Sequence, residues 1–358
     1  MPIEDKYLVG IRNIGRRWIA HGNDVITFPR PHNNMKYVFV AMLEQGDIGG
    51  LTSRNVPHTL GLTVFVNNLT VRRGLVRIEG GYGFTSCGYT TSNLGTTQRF
   101  DDVANTHTAR ADASARSSLA GYSLNGYGFT SCGVNAGTTQ RFDDVANVHT
   151  ARANAVARSD LIGYSLSGYG FTSCGYIPNV RVGTTERFDD VANVHTARAD
   201  ATARMRLAGY SLSGYGFTSC GDSSARTVGT TERFDDVANV HTARADATAR
   251  YGLTGYSLNG YGFTSCGFNV GTTERFDDVA NVHTTRTSAT ARGYLTGFSL
   301  NGYGFTSCGY DGSSPLGTTQ RFDDVANTHT ARENASARYF LAGYANNEYW
   351  ISYITVGK

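Results

Sequence analysis

The sequence predicts an all-β protein dominated by a β-propeller, a ring of small antiparallel sheets. Three observations carry that prediction. The stretch Gly-Tyr-Gly-Phe-Thr-Ser-Cys-Gly begins at Gly81, Gly126, Gly168, Gly214, Gly260 and Gly302. Each copy leads, through a short spacer, to Gly-Thr-Thr-(Gln/Glu)-Arg-Phe-Asp-Asp, as at Gly137 to Asp144. The composition is rich in Gly (43) and Tyr (21) and poor in charge (17%), which suits short strands joined by tight turns. Self-similarity at a period of this length is the mark of a repeat architecture, and it outranks any single residue as a guide to the fold.

The unit from Leu119 to Arg152 shows why each segment reads as β. Leu119 to Leu124 is a mostly apolar first strand. Asn125-Gly126 follows, a strong hairpin signal because both central residues of a type I′ turn need positive φ. Tyr127 to Cys132 is the second strand, with Tyr, Phe and Ser on one side and Gly128, Thr130 and Cys132 on the other by the two-residue period. Thr138 to Asp143 is the third strand. Asp143 to Asn147 is a turn in which Asp and Asn side chains can bond their own backbone. Val148 to Ala151 is the fourth strand. Four short antiparallel strands per repeat make one propeller blade.

Successive cysteines, Cys87, Cys132, Cys174, Cys220, Cys266 and Cys308, lie 45, 42, 46, 46 and 42 residues apart. All of that variation falls between Cys-Gly and Gly-Thr-Thr, in the loop from second to third strand. A loop that varies on a fixed scaffold is exposed and free of packing constraints.

At this point the repeats resemble the kelch family. Cys132-Gly133 stands where kelch blades carry paired glycines, and Phe142-Asp143 where they carry an aromatic–Asp pair. His149 takes the place of the family Trp, and Arg158 occupies the Arg position before the next first strand. The resemblance covers roughly residues 75 to 358. The Cys and His replacements, present in all six copies, are departures from the pattern. WD-repeat propellers have a similar period, but their Gly-His and Trp-Asp marks are missing.

The expected domain division is a non-repeating cap or attachment segment over residues 1–60 and a propeller over 61–358. Lys36 to Met42 and Leu62 to Val66 read as strands. After Arg338 come a first strand, Phe340 to Ala345, and a further second strand, Tyr349 to Val356. N-terminal strands could complete that last hairpin and close the ring, which would remove its open edges. Seven blades is therefore the favoured count and six the alternative.

Several function classes are disfavoured. A net charge of +3 with no run of Lys or Arg argues against a nucleic-acid partner. No apolar run is long enough for a membrane span, and Met1 to Lys6 lack the pattern of a secretory signal. Six cysteines invite a disulfide scheme, yet equivalent positions in adjacent sheets stand about 10 Å apart, beyond disulfide reach. Buried free thiols are expected instead. His107, His149, His195, His241, His283 and His329 recur once per repeat, so symmetry spreads them rather than converging them on a metal. The paired carboxylates, such as Asp101-Asp102 and Asp143-Asp144, suit turn capping better than acid–base work, because neighbours on a strand point to opposite faces. No metal, cofactor or catalytic residue is expected.

Strand order places the variable loops and the fourth-to-first connections at one face. In those connections Arg116, Arg158, Arg204, Arg250, Arg292 and Arg338 are expected to fix the ring by bonding carbonyls and an Asp of the adjacent blade. The sharper reading is an Arg-lined recess for an acidic partner. The loops supply Tyr89, Tyr176, Arg181, Asp222, Arg226, Phe268, Tyr310 and Asp311 as candidate partner-binding residues, Tyr and Arg being the types enriched at binding surfaces.

The expected function is thus binding or structural. The kelch resemblance implies recognition of a protein or a glycan by the loop face, and the near-identical repeats resemble those of surface or virion appendages, phage tail components among them. Residues 1–60 would attach the chain to a larger assembly. The alternative, through the galactose oxidase group of similar propellers, is a copper enzyme with Tyr, His and Cys ligands. Against it, the non-repeated His21, His32 and His58 lie in the N-terminal segment.

Overall fold

The computed structural model describes residues 37–43, 62–66, 69–78, 81–134, 136–224, 226–346 and 349–357. The chain divides into two compact units, one of Met1–Leu51, Asn55–Gly80 and Glu348–Lys358, the other of Thr52–Arg54 and Gly81–Asn347. Among the described residues every element is a strand, and no helix is long and apolar enough to cross a membrane. His21, His32 and His58 lie outside the described residues.

The smaller unit holds one antiparallel sheet. Tyr37–Leu43 pairs with Tyr349–Gly357, which pairs with Leu69–Ile78, which pairs with Leu62–Val66. Strands from both ends of the chain therefore meet, but in a sheet of their own and not in a blade that closes the ring.

The larger unit is a six-bladed propeller. Blade 2 is typical: Ala120–Leu124, Tyr127–Ser131, Thr139–Asp143 and Val148–Arg152 run antiparallel from the axis outward. Blades 3 to 6 repeat this order in chain sequence. Blade 1 takes its inner strand, Ala342–Asn346, from the end of the propeller and its other three, Tyr82–Tyr89, Asn93–Asp101 and Thr106–Arg110, from the beginning. That pairing corrects the favoured count of seven. The strand after Arg338 does not start another blade. It completes the first one, so the ring closes at six, and Tyr349–Gly357 joins the sheet of terminal strands.

Closure is visible along the axis. Ser123 donates its hydroxyl to the carbonyl of Ala345 at 2.7 Å, linking blade 2 to blade 1. Ser165 does the same to Ser123, Ser211 to Ser165, Ser257 to Ser211 and Ser299 to Ser257.

The core is a series of inter-blade aromatic stacks. In blade 2, Tyr122 and Phe129 stack at 5.3 Å, and Phe129 meets Phe188 of blade 3 at 5.7 Å. Each such buried ring contributes on the order of 1.5–3 kcal/mol. The stack needs a glycine opposite. The ring of Tyr122 lies against Gly170 of blade 3, where a β-carbon would come within 2.2 Å of it. The same contact recurs around the ring, which explains the second Gly of Gly-Tyr-Gly.

The outer parts of the blades are tied by charge. Asp190 of blade 3 receives Arg152 at 2.6 Å and Arg141 at 3.3 Å from blade 2, and Arg141 also lies 4.4 Å over the Tyr127 ring. Asp143, the first carboxylate of its pair, accepts the N–H groups of Val145 and Ala146 and so caps its turn. The two adjacent acids thus have separate jobs: one closes a turn, the other joins two blades. His149 packs on Phe142 and reaches blade 1, with Nε2 at 3.2 Å from the Thr97 hydroxyl and 3.1 Å from the Ala111 carbonyl.

The six cysteines are free and buried. Each has positive φ, as in Cys132 (64°) followed by Gly133 (132°), and each Sγ faces a carbonyl of the fourth-to-first connection, as Cys132 does that of Val156.

Candidate functional site

The site grows out of the connection between fourth and first strands. In blade 2 it begins at Arg110 and ends at Arg116. Ala113 is buried and donates its N–H to Gly95 at 2.8 Å, fixing the connection's path. Arg116 is buried and donates to the Thr138 and Thr130 carbonyls and to Gln140. Arg158 donates to the Thr172 and Cys174 carbonyls and pairs with Glu186, while Arg204 donates to those of Thr218 and Thr230 and pairs with Glu232 at 2.7 Å. Arg250 pairs with Glu274, while Arg292 and Arg338 bond Gln320 and Gln98. All six guanidiniums are buried and hydrogen-bonded to the sheet that follows them. The expected Asp of the adjacent blade goes instead to the other arginine of each connection, Arg110, Arg152, Arg198, Arg244, Arg286 or Arg332. An open Arg-lined recess for an acidic partner is therefore not formed by these six side chains. Their length lets them reach back along the second strand, where a carbonyl and a Thr hydroxyl accept from the fork of donors.

Two residues follow each of these arginines before a buried Leu. They are Ser117-Ser118, Ser159-Asp160, Met205-Arg206, Tyr251-Gly252, Gly293-Tyr294 and Tyr339-Phe340. In repeats otherwise almost identical, this dipeptide differs in every copy. The sequence reading did not single it out, because it varies in identity and not in length.

The backbone shows what the dipeptide does. Its second residue has a left-handed conformation in every blade, with φ between 54° and 68°. Its N–H donates to the carbonyl of the equivalent residue in the preceding blade: Ser118 to Phe340, Asp160 to Ser118, Arg206 to Asp160, Gly252 to Arg206, Tyr294 to Gly252 and Phe340 to Tyr294, all at 2.7–2.9 Å. Six hydrogen bonds thus form a closed circle around the axis. Positive φ costs a non-glycine residue on the order of 1–3 kcal/mol, and the circle holds five such residues in place. These residues, with the start of each inner strand, line the pocket at the mouth of the axis.

The first residue of each dipeptide bonds the variable loop. Tyr339 exchanges backbone hydrogen bonds with Tyr89, Ser159 with Tyr176, Met205 with Asp222, and Gly293 with Tyr310. Ser117 and Tyr251 accept the N–H of Val134 and Phe268. Both kinds of variable segment are consequently stitched together, blade by blade, around one mouth.

The resulting face has two halves. On blades 5, 6 and 1 it is aromatic. Tyr294 lies 4.3 Å from Phe340, 5.7 Å from Phe268 and 6.4 Å from both Tyr251 and Tyr339. Tyr339 in turn meets Tyr310 at 5.0 Å and Tyr89 at 5.6 Å. All seven rings are half-buried. On blades 2, 3 and 4 the face is polar, and four of its charges pair with each other. Arg181 and Asp222 form an ion pair at 3.1 Å between the loops of blades 3 and 4. Arg206 lies 3.7 Å from Asp160 and 5.5 Å from the Tyr294 ring centroid, joining the two halves. Burial pushes the Asp160 carboxyl above its ordinary range, against the pull of Arg206.

The eight loop residues expected to bind a partner are thus dispersed over both halves. Tyr89, Phe268 and Tyr310 belong to the aromatic arc. Arg181 and Asp222 hold each other. Tyr176 accepts the Asn179 N–H within its own hairpin. Arg226 is exposed. Asp311 is spent on its own turn, accepting from Ser314 and Ser313, and those bonds hold its carboxyl below the ordinary range. Tyr251, Tyr294, Tyr339 and Phe340 complete the arc and come from the unrecognised dipeptide. Among the described residues no three His, Cys, Asp or Glu side chains converge as a metal site.

The chain folds like known β-propellers. A solved structure titled "Structure of YjhT" superposes with a TM-score of 0.60, over 78% of this chain and 99% of that one, at 10% sequence identity. At that identity the likeness concerns the fold alone. No protein-family model and no curated protein matches the sequence.

Proposed function

We propose that this propeller is a non-catalytic recognition module whose loop face holds a macromolecular partner, a protein or a glycan. One observation carries the reading: the variable loop and the variable dipeptide of each blade are bonded to each other around a single mouth. A scaffold that keeps its core and changes its loops is what binding surfaces use. The positive-φ residues at the mouth support the same reading, since conformations of this kind persist where the surroundings over-determine them and they cluster at functional positions.

We also read the repeats as kelch-like. Cys132 at φ 64° and Gly133 at φ 132° have the conformations that paired glycines would adopt without strain. We further read the chain as a component of a surface or virion appendage, such as a phage tail. That step rests on the repetition of the scaffold, with residues 1–60 as its attachment.

The test uses immobilised full-length protein and extracts of the cells or particles that carry it. Changing Tyr176 and Arg181 together to Ala should weaken retention of the partner and leave the melting temperature within about 2 °C, as for surface changes generally. Val237→Ser, at an exposed turn between third and fourth strands, should leave retention unchanged. Equal retention by the loop variant and the parent would remove the loop face from consideration.

A further inference from the structure

We propose that the aromatic arc on blades 5, 6 and 1 is a stacking platform for a neutral oligosaccharide. The inference rests on the loop face being the binding face and goes beyond it by naming the ligand's chemistry.

The rings form a chain: Phe268 to Tyr294, Tyr294 to Tyr339, Tyr339 to Tyr89, with centroids 5.7, 6.4 and 5.6 Å apart. That spacing is comparable to the advance of one hexose along an extended glycan. A pyranose presents C–H bonds on one face and hydroxyls at its rim. Aromatic side chains offer the matching apolar surface, and Tyr adds a polar tip for the rim. Sites of this kind combine apolar and aromatic walls with a few placed polar groups. Here those groups lie on the adjoining half of the face, where Arg206 and Asp160 sit beside Tyr294.

Charge decides between ligand classes. A nucleic acid stacking on aromatics also needs a basic groove along its backbone. An acidic peptide needs unpaired arginines. Around this mouth Arg181 is matched by Asp222 and Arg206 by Asp160, Asp311 is engaged in its own turn, and the exposed Arg226 belongs to the loop of blade 4, outside the arc. The arc itself has no charged side chain. A neutral ligand with flat apolar faces and many hydroxyls is the complement of such a surface, because stacking one against the other strands no charge away from water.

The experiment is calorimetric titration of the full chain with cellohexaose, chitohexaose and maltohexaose, and with a heparin hexasaccharide as the anionic comparison. At least one neutral hexaose should bind with one-to-one stoichiometry and bind more tightly than the heparin fragment. Tyr339→Ala should weaken it at least tenfold. Phe268→Ala, at a loop tip, provides a second reading should Tyr339→Ala melt early. Arg226→Ala should change the affinity less than twofold. Absence of binding by all three neutral hexaoses overturns the inference. So does stronger binding of the heparin fragment, or an affinity that neither aromatic substitution alters. The failures are separable. If the hexaoses do not bind while the Tyr176 and Arg181 changes still weaken partner retention, the sugar assignment falls and the loop face stands.

Discussion

The ring of Tyr344 lies over Gly128, so close that a β-carbon there would stand 1.9 Å from it. Tyr344 belongs to the inner strand of blade 1 and Gly128 to the second strand of blade 2. Their contact is therefore part of the seam where the two ends of the propeller meet. It gives the seam the same aromatic-on-glycine packing as the other interfaces.

Gly128→Ala should accordingly cost 1–3 kcal/mol or somewhat more, by about the usual range for overpacking a close-packed core. Gly214→Ala separates sterics from conformation. Gly214 has φ +82° and no neighbouring atom within 4 Å of its absent β-carbon, so its cost is backbone strain of roughly 1–2 kcal/mol. Adding Tyr344→Ala should lessen the penalty of Gly128→Ala and leave that of Gly214→Ala unaffected. Urea denaturation of the single and double variants measures both. Simple additivity at both positions would mean that Tyr344 does not fill the space above Gly128.

The buried arginines make a second test. Arg204 is fully buried and lies 2.7 Å from Glu232. Arg204→Met leaves that carboxylate buried without its partner and should destabilise by about 3–5 kcal/mol. Glu232→Gln should cost far less, about 1 kcal/mol. The chain itself supplies the precedent, since Gln98, Gln140 and Gln320 accept from the equivalent arginines in three blades. Chemical denaturation compares the two. Equal losses would show that charge pairing, and not the hydrogen-bonded fork, holds the connection.

How far the sequence discloses this architecture depends on the range of the interaction. Asn125-Gly126, Tyr127 to Ser131 and Thr139 to Asp143 are legible because turn chemistry and alternation are local. Blade closure is not local. Nothing near Ala342–Asn346 distinguishes an inner strand that completes blade 1 from one that starts another blade, since its partner Tyr82–Tyr89 lies at the other end of the propeller. The loop face is legible from length variation between Cys and Gly-Thr-Thr. The aromatic arc is only half legible for the same reason: Tyr294, Tyr339 and Phe340 vary inside a connection of constant length. Comparing the residues just after each repeated Arg would have found them. Aligned by repeat, those two positions are the most diverse in the scaffold.

Histidine gives the pH dependence its sign. In His107, His149 and His329 burial lowers the pKa from 6.5 to about 4. Their Nδ1 atoms are buried with no hydrogen-bond partner, so a second ring proton would have nowhere to donate. The folded protein therefore stays unprotonated at these sites while the unfolded chain takes up protons near 6.5. Unfolding binds protons in that window, so stability is full above about pH 6.5 and falls as the pH drops toward about 4. Melting temperatures measured across this range should decline, and His149→Gln should flatten the decline by one proton's share. A melting temperature that is constant from pH 7 to 4.5 would contradict the assignment.

The cysteines test whether the ring opens locally. Each thiol is fully buried, and burial raises its pKa, to about 11 for Cys220. Sγ of Cys220 donates to the Thr248 carbonyl, so the thiol lies sealed beneath the connection that enters blade 5. A disulfide-exchanging reagent such as Ellman's reagent attacks the thiolate, which is scarce at pH 7–8 and inaccessible besides. Reaction in the native state should be slower than in denaturant by at least a thousandfold, about the lower bound set by the folding equilibrium of a stable domain. All six thiols should then react together, because the blades share one closed set of interfaces and none can open its connection alone. Release in a single kinetic phase, with six equivalents, is the expected result. One or two thiols reacting early would identify a blade that opens by itself, and blade 1, closed by strands from opposite ends of the propeller, is where that would register first.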